Sequence, residues 1–337
     1  MLMLDKIAYS PDAERTAIFE DTGHKIGMLP FIVEKDFWIS WILERIFKNE
    51  YLADILCFKG GTSLSKTFRL IERFSEDIDL ILSQKTVLAK NEKLEQPSNT
   101  KQARFIKEIE ERAVAFISTE LREIITAALG GVCSIAVNAK DGHILHIKYP
   151  ELFDYTYLKP YIKLEIGPLA LWYPNEKYPV SSYITDAYPD FGIGSVLIPT
   201  VKPVRTFWEK ATILHHEYYR PDTSSMPLRY SRHYYDVYKM GTSDSGVKDL
   251  ALDKFDLLVE VVDFKKRFYP RGWAMYDEAG EGIVHLYPGE RHLPSLKEDY
   301  SEMQEMIFGS IPEWDDILNY LKQLENEIQT QFCGQNK

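Results

Sequence analysis

Phe58-Lys-Gly-Gly-Thr-Ser-Leu-Ser-Lys66, followed closely by Ser75-Glu-Asp-Ile-Asp-Leu-Ile-Leu82, decides how this chain is read. Gly60 and Gly61 carry no Cβ, so the backbone there can pass close to a phosphate. The N–H groups of the helical turn that follows, with the hydroxyls of Thr62, Ser63 and Ser65, can then bind the anion. Side chains alternate along a strand, so Asp77 and Asp79 point one way while Ile78, Leu80 and Leu82 fill the other face. Paired carboxylates on one face are hard oxygen donors suited to Mg²⁺ or Mn²⁺. Glycine turn, helix and acidic strand together form a layout for a nucleoside triphosphate (NTP) and its metal ions. Lys66 lies in the helix after the turn as a cation for the triphosphate, and Ser63 and Ser75 are placed to bind phosphate or cap a turn.

Downstream, Tyr161-Ile-Lys-Leu-Glu-Ile166 alternates as a strand with Lys163 and Glu165 on one face. Glu165 is the candidate third carboxylate, next to the metal pair and available to take a proton. Upstream, Phe37, Trp38, Trp41, Ile42 and Ile46 recur at helical spacing, which predicts an amphipathic helix over 31–48 with Glu34, Lys35 and Asp36 capping its start. The helix after the glycine turn is expected to reach Glu72. The polar stretch 84–102 reads as a mobile loop beside the site. Next come a long helix over 103–129 closed by Gly130-Gly131 and a hairpin over 132–149 with a tight turn at Asp141-Gly142. Beyond Pro199 and Pro203 the pattern turns helical, at about 206–218, 228–240, 248–268 and 312–331. The expected architecture is α+β: a mixed sheet flanked by helices over 1–203 and a helical domain over 204–337.

The wording Lys-Gly-Gly-Thr-x-Leu-Ser-Lys, then Arg73-Phe-Ser-Glu-Asp-Ile-Asp79, resembles the AbiEii/AbiGii toxin family within the DNA polymerase β-like nucleotidyltransferase superfamily. Val33-Glu-Lys-Asp-Phe-Trp38, Thr206-Phe-Trp-Glu-Lys210 and Arg232-His-Tyr-Tyr-Asp236 extend the likeness from about residue 33 to 240. The resemblance implies an Mg²⁺- or Mn²⁺-dependent nucleotidyltransferase toxin of a type IV-like, phage-defence toxin–antitoxin system. It would transfer NMP from NTP to an RNA acceptor, tRNA in particular, and be opposed by a separately encoded antitoxin. It favours Lys210 as catalytic and marks Asp236, although the residues alone read Arg232 and Asp236 as an i,i+4 pair. It also hints that Lys35 reaches the site. The alternatives are transfer to a protein or small molecule, or a non-catalytic NTP-binding regulatory module.

Composition bounds these readings. A chain of 337 residues that is 45% hydrophobic can bury a real core. It has no apolar run of about eighteen residues, and its first residues do not read as a signal peptide, so a cytoplasmic protein without membrane contact is expected. Cys57, Cys133 and Cys333 show no paired spacing and read as plain core or terminal residues. A net charge of -11 opposes encounter with a polyanion unless cations are gathered locally. The segment 202–239 offers such a patch, with Lys202, Arg205, Lys210, Arg220, Arg229, Arg232 and Lys239 interleaved with tyrosines; the alternative is a tyrosine-packed helical core. His215-His216-Glu217 is a poor metal site, because adjacent helical residues point about 100° apart.

Overall fold

Apolar alternation in Leu56–Lys59 (β1) and Asp77–Leu82 (β2) makes two antiparallel neighbours at the middle of a seven-stranded sheet. The computed structural model describes residues 3–153, 159–189 and 196–333. The other strands are β3 (Ser134–Val137), β4 (Ile144–Lys148), β5 (Ile162–Gly167), β6 (Asn175–Pro179) and β7 (Leu197–Val201), in the spatial order β3-β4-β5-β2-β1-β7-β6. β2 runs parallel to β5 and β1 parallel to β7, and the remaining pairs are antiparallel. The expected mixed sheet with flanking helices is therefore present, and the fold is α+β.

The chain divides into two compact units, 1–68 with 75–201, and 69–74 with 202–337. The short segment Arg69–Phe74 thus goes with the second unit. The helix that opens at Gly60 ends at Lys66 instead of running to Glu72. The segment after Lys66 is irregular, and within it the Phe74 N–H donates to the Met306 carbonyl at 2.7 Å.

In the first unit the helices are α1 (Met3–Ala8), α2 (Asp12–Ile26), α3 (Pro30–Phe47), α4 (Glu50–Ile55), α5 (Gly60–Lys66), α6 (Asn99–Phe116), α7 (Arg122–Ala128) and α8 (Tyr183–Ala187). A π-turn over Ile117–Leu121 joins α6 to α7, so the expected long helix is nearly continuous, and Gly130 and Gly131 close it with positive φ. α3 departs from expectation. It is buried almost all round, and Glu34, Lys35 and Asp36 are its second turn instead of its cap, each no more than 2% exposed. Charges in a sequence suggest solvent, but here each one meets a partner from a distant segment. The stretch before α6 is irregular yet anchored. Arg112 Nη1 pairs with Glu92 at 2.6 Å, and the Gln102 side chain accepts from the Gln96 N–H at 2.9 Å and donates to the Leu94 carbonyl at 3.1 Å. These ties hold parts of the stretch 84–102 against α6. Cys57 and Cys133 are core thiols that burial pushes up to about 12, which keeps them unreactive. The side chain of Cys333 lies outside the described residues.

The second unit is helical: α9 (Pro203–Tyr218), α10 (Ser231–Thr242), α11 (Val247–Leu252), α12 (Phe255–Phe268), α13 (Tyr276–Gly280), α14 (Leu293–Met303) and α15 (Trp314–Cys333). α13 and α14 fall in a stretch where Pro and Gly obscure helical periodicity. α14 begins with Pro294 in its first turn, where proline is tolerated. Among the described residues no helix is long and apolar enough to cross a membrane. His215 and His216 line the interior. His215 Nε2 donates to the Met275 carbonyl at 2.9 Å while Nδ1 accepts from the His285 N–H at 3.1 Å, which requires a neutral ring. His216 Nε2 faces Glu217 at 2.8 Å, and Arg220 also pairs with Glu217. All these polar atoms are used in packing, so the His-His-Glu run is structural.

Burial lowers His215 from its ordinary 6.5 to about 4. A group that resists protonation only in the fold adds stability that is full above pH 6.5 and lost as pH falls toward 4. Over that window His215 should cost about 3 kcal/mol of unfolding free energy. Urea denaturation at several pH values should show a shallower acid loss for His215→Gln than for wild type; identical slopes would remove His215 from the acid response.

Candidate active site

The glycine turn places a carboxylate. Gly60 has φ +82°, and a Cβ built there would overlap the Asp79 carboxylate, so this position needs glycine for its conformation and for close approach. Thr62 and Ser63 are fully buried, and their hydroxyls serve the turn instead of facing a ligand. Thr62 Oγ1 donates to the Asp77 carbonyl and reaches Ser75 Oγ at 2.9 Å, while Ser63 Oγ donates to the Gly60 carbonyl at 2.9 Å. Ser65 donates to the Thr62 carbonyl at 3.1 Å. Thr62 thus pins the glycine turn to the start of β2, while Ser63 and Ser65 bond within the turn itself.

Register gathers the acidic residues. Across β2 and β5, Asp77 lies opposite Lys163 and Asp79 opposite Glu165. Across β1, Lys59 lies opposite Asp79, and across β4, His146 lies opposite Lys163. Paired residues share a sheet face, so Lys59, Asp77, Asp79, His146, Lys163 and Glu165 form one half-buried polar surface. Ile78, Leu80, Leu164 and Ile166, no more than 1% exposed, face the core. Lys163 Nζ pairs with Glu165 Oε1. Burial works against the Lys163 charge, but Glu165, and behind it Asp77 and Asp79, hold it above its ordinary value. His146 stacks on Tyr161 at 4.1 Å, and burial, then Lys159 and Lys163, lower its affinity for a proton.

The donor set of Asp77, Asp79 and Glu165 fits a hard divalent cation. Among the described residues, however, no group of three His, Cys, Asp or Glu side chains is already drawn together to hold one. The carboxylates share a face without yet converging.

α3 supports this face from beneath. Lys35 Nζ donates to Glu76 Oε2 at 2.7 Å and to the Lys159 carbonyl at 2.9 Å, tying the approaches to β2 and β5 together. Asp36 pairs with Lys66 and accepts from the Tyr183 N–H at 2.7 Å. Lys66, expected to meet the triphosphate, is thus buried in an ion pair with Asp36. Glu34 accepts from the Leu152 N–H at 2.8 Å, and burial raises it to about 7.

Within the second unit, Asp236 is fully buried and pairs with Arg73 through two bonds of 2.7 and 2.8 Å and with Lys210 at 2.7 Å. Arg73 and Lys210 overcome burial and hold Asp236 well below the carboxylate range. Asp236 thus joins a three-member buried cluster in place of the i,i+4 pair with Arg232. Arg73 lies inside the quoted motif, yet only folding shows that it meets α10.

The basic segment is largely dismantled. Arg205, Lys210 and Arg220 are buried, Lys239 pairs with Glu72 at 2.7 Å, and Tyr234 and Tyr235 are at most 1% exposed. α10 packs against α9, α14 and α15, which draws these residues inward. The tyrosine-core alternative holds for Tyr234 and Tyr235, while Lys202, Arg229 and Arg232 stay at least partly exposed. Lys59, Arg73 and His146 are site or cluster residues that sequence reasoning missed: strand pairing sets Lys59 opposite Asp79 and His146 opposite Lys163, and Arg73 meets Asp236 only on folding.

The family described as Nucleotidyl transferase AbiEii toxin, Type IV TA system, matches residues 41–320. Among solved structures, MenT4, a nucleotidyltransferase toxin from Mycobacterium tuberculosis, is similar over 93% of this chain and 98% of its own, with 16% identity and a TM-score of 0.41. No curated protein matches the chain. Matched over most of its length, the chain belongs to the AbiEii family of nucleotidyltransferase toxins of type IV toxin–antitoxin systems.

Proposed function

We propose that this nucleotidyltransferase transfers NMP from an NTP to an RNA acceptor, tRNA in particular, in a Mg²⁺- or Mn²⁺-dependent reaction serving phage defence and opposed by a separately encoded antitoxin. The observation that carries the chemistry is the register of Asp77, Asp79 and Glu165 on one half-exposed face behind the Gly60 turn. Asp77 and Asp79, joined by Glu165, would hold the divalent ion. When bound, that ion supplies charge stabilisation for the attacking and leaving oxygens. Glu165 is assigned to accept the proton of the acceptor hydroxyl as its oxygen bonds to the α-phosphorus and pyrophosphate departs. Backbone N–H groups at Gly60 and Gly61 are assigned to the phosphates. Lys210, with Asp236 holding its ammonium, is assigned to the same reaction on the family wording Trp-Glu-Lys. The cytoplasm is the compartment this reading requires.

The RNA acceptor follows from the family resemblance. Burial of most of the basic segment favours a second reading, transfer to a protein or small molecule. Each α-labelled NTP, incubated with Mg²⁺, the protein and cell lysate, should label the RNA fraction, with tRNA carrying the label. Label confined to protein or small molecules would replace the acceptor, and no label in any fraction would overturn the activity under these conditions.

A further inference from the structure

Lys66, expected to meet the triphosphate, and Lys210, expected to be catalytic, are both engaged inside the fold, Lys66 by Asp36 and Lys210 by Asp236. The carboxylate face meanwhile carries an ammonium of its own. Lys163 is opposite Asp77, neighbours Asp79 and pairs with Glu165, so one cation stands among the three carboxylates assigned to the metal. Carboxylates crowded on adjacent strands repel one another, and a single ammonium relieves part of that repulsion. It also competes for the same oxygens as a divalent ion. The absence of a converged ligand set among the described residues agrees with this: Glu165 is turned to Lys163. The Lys163 side chain is 25% exposed on a flexible stem, so it can leave without unpacking the sheet.

We propose that Lys163 is the resident counter-cation of the carboxylate face, displaced when the divalent ion enters and thereby released to bind the triphosphate. The proposal rests on the metal assignment above and gives β5 two successive tasks. Before the metal enters, Lys163 holds Asp77, Asp79 and Glu165 together. Afterwards its ammonium, on the same face as Lys59 opposite Asp79, is free to meet the anionic substrate that arrives with the metal.

The test separates metal binding from nucleotide binding. Without nucleotide, Lys163→Met should bind Mn²⁺ more tightly than wild type by up to about fivefold, the upper size of one partly exposed ion pair. At saturating Mn²⁺ the same variant should bind a non-hydrolysable NTP analogue more weakly by a similar factor. A purely structural lysine would weaken both or neither, so the opposed signs are the signature. A wild-type measurement covers the case in which the variant fails to fold. Amine acylation at Lys163, read by mass spectrometry, should speed up on adding Mn²⁺ and slow again on adding the analogue. Unchanged or weaker Mn²⁺ affinity in folded Lys163→Met, or acylation indifferent to Mn²⁺, overturns the proposal while leaving the metal assignment standing. Wild type that binds no Mn²⁺ overturns both.

Discussion

Asp77→Ala and Asp79→Ala should each reduce NMP transfer by on the order of a thousandfold or more while leaving the protein folded. Both carboxylates are half-exposed on the polar face of β2, while its packing rests on Ile78 and Leu80 on the opposite face, so their removal takes nothing from the core. Losing one of three neighbouring negative charges also relaxes repulsion, and the urea midpoint should stay level or rise. Asp79→Ala additionally vacates the space beside Gly60, so its phosphate turn is the one expected to loosen. Transfer assays on purified, folded variants check this, and wild-type turnover in either one removes the pair from the metal site.

The largest stability effect is expected at Asp236. Its carboxylate is the anion shared by Arg73 and Lys210, and Asp236→Ala would leave two buried cations facing each other. Stripping one partner from a buried ionic cluster typically costs about 3–5 kcal/mol. The urea midpoint should therefore drop sharply, with Asp236→Asn intermediate. Lys210→Ala behaves differently, because Asp236 keeps its two bonds to Arg73 and the loss of stability is smaller. A folded Lys210→Ala protein that turns over about a hundredfold more slowly would show that the Lys210 charge acts in the reaction. An Asp236→Ala protein as stable as wild type would show that the cluster does not hold the helical unit together.

The sequence by itself determined the glycine turn, the Asp-x-Asp strand, the Glu165 strand and the mixed α+β plan, because these rest on local rules: glycine for tight backbone, alternation by two in strands, and periodicity near 3.6 in helices. Only the tertiary structure decided which charges face solvent and which face each other. Lys35 and Asp36 read as a helix cap, Lys66 as a cation for the triphosphate and Lys210 as part of a basic segment, yet each finds an opposite charge from another part of the chain, which local pattern cannot show. Arg73 meets Asp236 across a sequence gap that no helical or strand period spans. Lys163 lies two residues before Glu165 in the chain, but its place among Asp77, Asp79 and Glu165 follows from the parallel pairing of β2 with β5. That pairing is a long-range choice, made by burying the opposite faces of both strands in the same core.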